Sequence, residues 1–265
     1  MSAGSDLDLD RLLGAARRAA AAGADVVLDA FGAARNVREK GPGDWVSDAD
    51  TASEAAVQSV LHDADPELAF FGEETGGERA DVGWFVDPLD GTANFVRGFP
   101  VVGVSVALVA DGVPVVGVVQ APMLGDVYSA CLGKGAFLND EPIRVSARPP
   151  AGAICGTGFP FRAKRQRLAE YVPVFERALL AFEDLRRAGA ASLDLAWTGA
   201  GVYDGYFEQS LGTWDVAAGA LLVREAGGVV TDWRGDDRAW LQSGDVVAAP
   251  PAVHARILAL ISGDG

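Results

Sequence analysis

The sequence predicts a layered α+β protein, and three patterns predict it. An amphipathic helix opens the chain, β-branched runs fill the first half, and helices alternate with strands in the second. In the first element, Leu9, Leu12, Leu13, Ala16, Ala20, Val27 and Phe31 recur at helical spacing. Arg17, Arg18, Asp25 and Asp29 interrupt the apolar run, so it is an amphipathic helix and not a signal peptide. Residues 36–50 read as a polar loop around Gly41-Pro42-Gly43. Within it, Ser47-x-x-Asp50 is a pattern that caps a second helix, which runs to about His62 and stops at Asp65-Pro66.

Residues 68–71 and 83–86 are short apolar runs ended by acids, as expected of buried strands that deliver polar groups at their C-terminal ends. Runs 101–109 and 113–119 are β-branched and joined by Asp111-Gly112, a hairpin signal. Runs 127–131 and 136–138 extend that sheet. Pro149-Pro150 is either the joint between two halves or a surface turn. Beyond it, helices are expected over 167–182, 192–203, 214–226 and 252–261, alternating with strands near Ile154, Tyr206, Val229 and Val246. The expected organisation is one compact unit. Its N-terminal α+β half spans 1–148 and its C-terminal α/β half spans 149–265.

Composition narrows the function. Hydrophobic residues make up 49% and charged residues 22%, as in folded proteins. A net charge of −15 disfavours nucleic-acid and anionic-membrane surfaces, which need clustered Lys and Arg. Cys131 and Cys155 make neither a disulfide framework nor a zinc spacing, and His62 and His254 lie far apart. A Ser-His-Asp or zinc hydrolase is therefore not expected. No run approaches the ~18 apolar residues of a membrane span, so a cytoplasmic protein is expected.

Four acidic clusters carry the chemistry. Asp87-Pro88-Leu89-Asp90-Gly91-Thr92 follows an apolar strand. Pro88 fixes a tight turn, and Gly91 lets backbone approach a ligand. Two carboxylates on one turn repel unless a cation sits between them, and Mg²⁺ takes oxygen ligands together with substrate phosphate. The amides at Gly91-Thr92 suit a phosphate if a helix starts there. Alone, the motif is equally an acidic turn whose Asp caps a helix. Phe70-Phe71-Gly72-Glu73-Glu74 is a second strand ended by acids; Glu73 suits a bridging ligand, while Glu74 fits a solvated loop equally well. In the third cluster, Asp44 to Asp50, Ala52 and Val57 stand where an EF-hand needs ligands, so that motif is rejected. Asp215 in Gly212-Thr213-Trp214-Asp215 heads an apolar helix, where an acid also complements the helix dipole.

Together these clusters, with Asn94-Phe95, resemble the inositol monophosphatase family among the lithium-sensitive, magnesium-dependent phosphatases. The likeness runs from Lys40 to Ala248-Ala249-Pro250, and Gly156-Thr157-Gly158-Phe159-Pro160-Phe161 and Tyr206-Phe207-Glu208 are similar to its bacterial branch. It implies an α/β/α/β/α sandwich related to fructose bisphosphatases, two or three Mg²⁺ ions, and a homodimer. It also implies a small phosphorylated polyol as substrate, inositol monophosphate above all; from the composition, no nucleic-acid or membrane partner is expected. Glu73, Asp87, the Leu89 carbonyl, Asp90 and Asp215 would hold the metals. Asp50 would accept a hydrogen bond from Thr92, which with Glu73 orients and deprotonates the attacking water. Asp44 would sit further out or support a third ion. Asp90, Gly91, Thr92, Ala191, Glu208 and Asp215 would meet the substrate.

Two departures stand out: Ala93 replaces a frequent threonine, and Ala190 replaces a hydroxyl residue usual before Ala191. The second bears on which polyol is preferred. A haloacid-dehalogenase-type phosphatase would need Asp-x-Asp after a strand, and Asp6-x-Asp8-x-Asp10 has none before it. A dinucleotide fold would need a third glycine after Gly156-x-Gly158. The remaining alternatives are a histidinol-phosphate, fructose-1,6-bisphosphate or nucleotide 3′-phosphate phosphatase, with Arg162, Lys164, Arg165 and Arg187 as candidate anion contacts. From another class comes a regulatory interaction protein that retains the fold. Glu208 favours the polyol monophosphate, because a carboxylate accepts hydroxyl hydrogen bonds and repels a second phosphate.

Overall fold

Two helices, a seven-stranded sheet, two more helices, a five-stranded sheet and a last pair of helices stack in order as an α/β/α/β/α sandwich. The computed structural model describes residues 7–41, 44–77, 80–160 and 164–264, apart from the side chains of Asp44 and Lys164. Asp6, Pro42, Gly43, Phe161 and Arg162, named above, lie outside the described residues.

Helices α1 (Leu9–Ala30) and α2 (Asp48–Ala64) form the first layer. The predicted stripe on α1 is buried through Leu12, Ala16, Ala20 and Val27. Ser47 and Asp50 make the expected capping box on α2. Between these helices the chain is not a plain loop: β1 (Arg38–Gly41) and β2 (Asp44–Val46) pair antiparallel. The pairing is hard to see in sequence because β1 is polar and exposed and β2 is only three residues long, too short to show an alternating face.

The large sheet holds β3 (Ala69–Gly72), β4 (Val82–Asp90), β5 (Gly103–Ala110), β6 (Val113–Ala121), β7 (Asp126–Cys131), β8 (Gly135–Leu138) and β9 (Glu141–Pro142), in that spatial order. Only β3 and β4 run parallel; the rest is a meander. Along β5, Val104, Val106 and Leu108 face α1 and α2, while Ala107 and Val109 face the opposite core. Burial on both faces is why this strand reads as a continuous apolar run. Asp111 and Gly112 both have positive φ, 50° and 76°, the turn that matches hairpin twist.

β4 does not stop at Val86. It continues through Asp87 to Asp90 with an irregularity in its pairing to β5, so the predicted tight turn is a bulged strand end. Burial of Leu89 and re-pairing of Asp90 with Gly103 keep the segment on the sheet.

Past a 3-10 turn at Pro150–Gly152, the second sheet holds β10 (Ile154–Thr157), β11 (Asp184–Arg186), β12 (Gly205–Glu208), β13 (Val229–Thr231) and β14 (Val246–Ala249), in the order β11-β10-β12-β14-β13. The short strand β11 was not foreseen. The middle helix layer, α5 (Ala191–Gly199) and α6 (Thr213–Glu225), packs between the two sheets. α4 (Lys164–Ala181) and α8 (Pro251–Ser262) cover the outer face of the smaller sheet. Two short helices, α3 (Thr92–Val96) and α7 (Trp240–Ser243), complete the fold. α6 lies close on β6 because Gly117 has no side chain: a Cβ there would sit 2.9 Å from the Ala218 carbonyl oxygen. No helix among the described residues is long and apolar enough to cross a membrane.

Candidate active site

Three carboxylates from three separate elements converge. Glu73 follows β3, Asp87 lies in β4 and Asp215 lies in the first turn of α6, and each offers an oxygen within 4.8 Å of the others. Strand pairing sets two of them: the Glu73 amide donates to Val86 O at 3.0 Å, next to Asp87. The third is registered by Ser105, which pairs with Asp87 across β4 and β5 and donates through Oγ to Trp214 O at 2.9 Å. Trp214 also stacks on Phe71, with centroids 5.8 Å apart. Asp215 Oδ2 accepts the Gly212 amide at 2.6 Å, so it also caps its own helix.

Crowding shows in the titration of Asp87. Burial pushes its carboxyl well above the usual range, and the charges of Glu73, Asp90 and Asp215 push it further. An all-oxygen donor set of three carboxylates suits a hard divalent cation, whose charge would offset their mutual repulsion. Lys40 reaches in from β1, its Nζ 3.1 Å from Glu73 Oε1 and 2.8 Å from Glu74 Oε1. Despite the cost of burial, these two acids raise the lysine's pKa.

Asp90 stands beside the trio but outside it. Burial and the neighbouring Asp215 push its pKa up to about 6. Its Oδ2 accepts both the Ser192 amide at 2.7 Å and the Ser192 hydroxyl at 2.6 Å. Leu89 is buried, and its carbonyl accepts the Thr92 hydroxyl at 3.1 Å.

Helix α2 supports the site from one side. Asp50, buried and with its pKa raised by burial, accepts the Thr92 hydroxyl on Oδ1 at 2.8 Å and the Ser47 amide and hydroxyl on Oδ2. One turn on, Ser53 Oγ donates to Pro88 O at 2.8 Å. The buried Glu54 carboxylate accepts the amides of Glu74 and Thr75, both at 2.9 Å, holding the loop that carries Glu73. Gly91 adopts φ 89° and caps α3, so a helix does start at Thr92.

The remaining candidates lie on the C-terminal side. Ala191 is the first residue of α5 and is buried. Glu208 ends β12, hydrogen-bonded by the Tyr206 hydroxyl, and burial raises its pKa to about 7. Asp44 lies in β2, and its side chain is outside the described residues. Ser192 and Glu54 were missed. A Ser or Glu within a helix carries no local mark of a distant partner. The one signal was spacing, since Glu54 follows Asp50 by one helical turn on the same buried face.

Comparison with known proteins fits this arrangement. The profile of the inositol monophosphatase family matches residues 8–263. The chain belongs to that family. A putative Nus factor SuhB of Neisseria meningitidis serogroup B is 46% identical over 223 residues, covering 83% of this chain and 85% of the relative. The fold matches the extragenic suppressor protein suhB of Bartonella henselae with a TM-score of 0.89 at 35% identity, covering 94% and 98% of the two chains. It matches the inositol monophosphatase of Anabaena (Nostoc) sp. PCC 7120 with a TM-score of 0.85 at 30% identity and 97% coverage of both. The sandwich and the family resemblance read from the sequence are thus correct. Inositol monophosphatase family members therefore include proteins named for a phosphatase activity and proteins named as Nus factors.

Proposed function

We propose that this chain is a Mg²⁺-dependent phosphatase of small phosphorylated polyols, with inositol monophosphate first among them. The convergence of Glu73, Asp87 and Asp215 carries this reading. With the Leu89 carbonyl and Asp90, these residues would hold two or three Mg²⁺ ions. When bound, Mg²⁺ supplies charge that neutralises phosphate and lowers the pKa of a water. Thr92 and Asp50 form the proton path: a proton leaving the attacking water toward Thr92 Oγ1 passes to Asp50 Oδ1, 2.8 Å away. Burial raises the affinity of Asp50 for that proton. Amides at the start of α3 suit the phosphate oxygens. Glu208, Asp90, Ala191 and Asp215 would meet the hydroxyls on the far side, with Asp44 as an outer support.

The test is phosphate release from a panel of phosphomonoesters with and without Mg²⁺ and Li⁺. Inositol monophosphate should lead, Mg²⁺ should be required and Li⁺ should inhibit. Preference for histidinol phosphate or a bisphosphate would move the substrate while leaving the site in place.

A second reading comes from the SuhB relatives, whose name, Nus factor, states no hydrolytic activity. On that reading the chain is a regulatory interaction protein that retains the fold, and the expectation of no nucleic-acid partner loses its force. Failure to hydrolyse any phosphomonoester in Mg²⁺ would favour it.

A further inference from the structure

We propose that Ser192 is a positioning residue for Asp90, committing one carboxylate oxygen to helix α5 so that Oδ1 is the oxygen offered to a cation. The inference rests on the reading of Asp90 as a cation ligand. Both Ser192 bonds fall on the same oxygen, Oδ2, at 2.7 Å from the amide and 2.6 Å from the hydroxyl.

The first turn of a helix has amides with no partner within the helix, and the cap residue ordinarily supplies one. Here the cap is Ala190, which makes no side-chain bond, and Asp90 takes over from the other side of the chain. The hydroxyl sits in a fitted niche. Ser192 is 0% exposed, and a Cβ on Gly103, the β5 partner of Asp90, would lie 2.8 Å from Ser192 Oγ. A carboxylate held this way on one oxygen cannot rotate to present both to a cation. A polar group behind a metal ligand fixes its orientation, and losing one weakens metal binding by about 10–100-fold.

The experiment is calorimetric titration of Mg²⁺ into the purified wild type, Ser192→Ala, Asp90→Ala and the double variant, with thermal melts to confirm folding. Ser192→Ala should weaken Mg²⁺ binding about tenfold, and adding it to Asp90→Ala should change nothing further. Unchanged affinity in Ser192→Ala, or an equal loss in both backgrounds, would overturn the proposal, the latter because a general packing role acts without Asp90. Should Ser192→Ala not fold, Ser192→Cys keeps an atom at the γ position, gives up most of the donor strength and is read the same way. If the wild type binds no Mg²⁺, the cation-site reading itself fails. If the wild type binds and Ser192→Ala binds equally well, only this inference does.

Discussion

The Thr92 hydroxyl donates to Asp50 Oδ1 at 2.8 Å, joining the first turn of α3 to the first turn of α2. The Ser47 amide and hydroxyl hold the other Asp50 oxygen, so the carboxylate cannot turn away. In the proposed reaction this pair would be the proton path. Thr92→Val should lower kcat by about a hundredfold or more while KM changes little, since general-base assistance contributes roughly 10²–10⁴-fold. Steady-state kinetics on inositol monophosphate checks it. A kcat within threefold of wild type would remove Thr92 from the path.

Cation-free protein should become less stable as pH rises. Asp90 titrates at about 6 and Glu208 at about 7 in the folded chain, both raised chiefly by burial, against roughly 4 for unfolded carboxyls. Between those limits the folded state holds more protons than the unfolded state. Their stabilising effect is present at low pH and is lost as pH climbs through the folded values. On the proposed function Mg²⁺ would take the place of protons at the Asp cluster, so its gain in Tm should be larger at pH 8 than at pH 5. Thermal melts in EDTA and in Mg²⁺ at the two pH values decide this, and equal gains would contradict it.

Glu54 ties down the Glu73 loop through two backbone amides. Glu54→Ala should cost about 1–3 kcal/mol, the usual penalty for stranding buried hydrogen-bond partners. It should also raise the Mg²⁺ needed for half-maximal activity. Denaturant unfolding and a Mg²⁺ titration of rate report the two effects separately.

Gly117→Ala places a methyl against the backbone of α6, 2.9 Å from Ala218 O. Overpacking of this kind costs about 1–3 kcal/mol. Because α6 carries Asp215, the same variant should weaken Mg²⁺ binding, measured by calorimetry. A stability loss with unchanged affinity would mean that α6 yields at its far end.

Much of this was legible in sequence because the signals were local. The Ser47–Asp50 box, the Asp111-Gly112 turn and the β5 run each sit within a few residues. The acids at strand ends marked where to look. What stayed hidden depends on contacts between distant segments. Ser192 looks like any residue of a buried helix until Asp90 is placed beside it, and the bulged continuation of β4 to Asp90 exists only because β5 resumes pairing at Gly103. The β1–β2 ribbon escapes a sequence reading because β1 is polar and β2 is only three residues long.

On the proposed function, the Glu73, Asp87 and Asp215 cluster holds the cations that drive phosphate release. The most direct test of that role is the rate of phosphate release from inositol monophosphate by wild type and Asp215→Asn across a Mg²⁺ titration, both shown to be folded. The wild type should show Mg²⁺-dependent turnover, and the variant should lose at least a thousandfold, on the order of 4 kcal/mol of barrier. Near-full Mg²⁺-dependent activity in Asp215→Asn would contradict it.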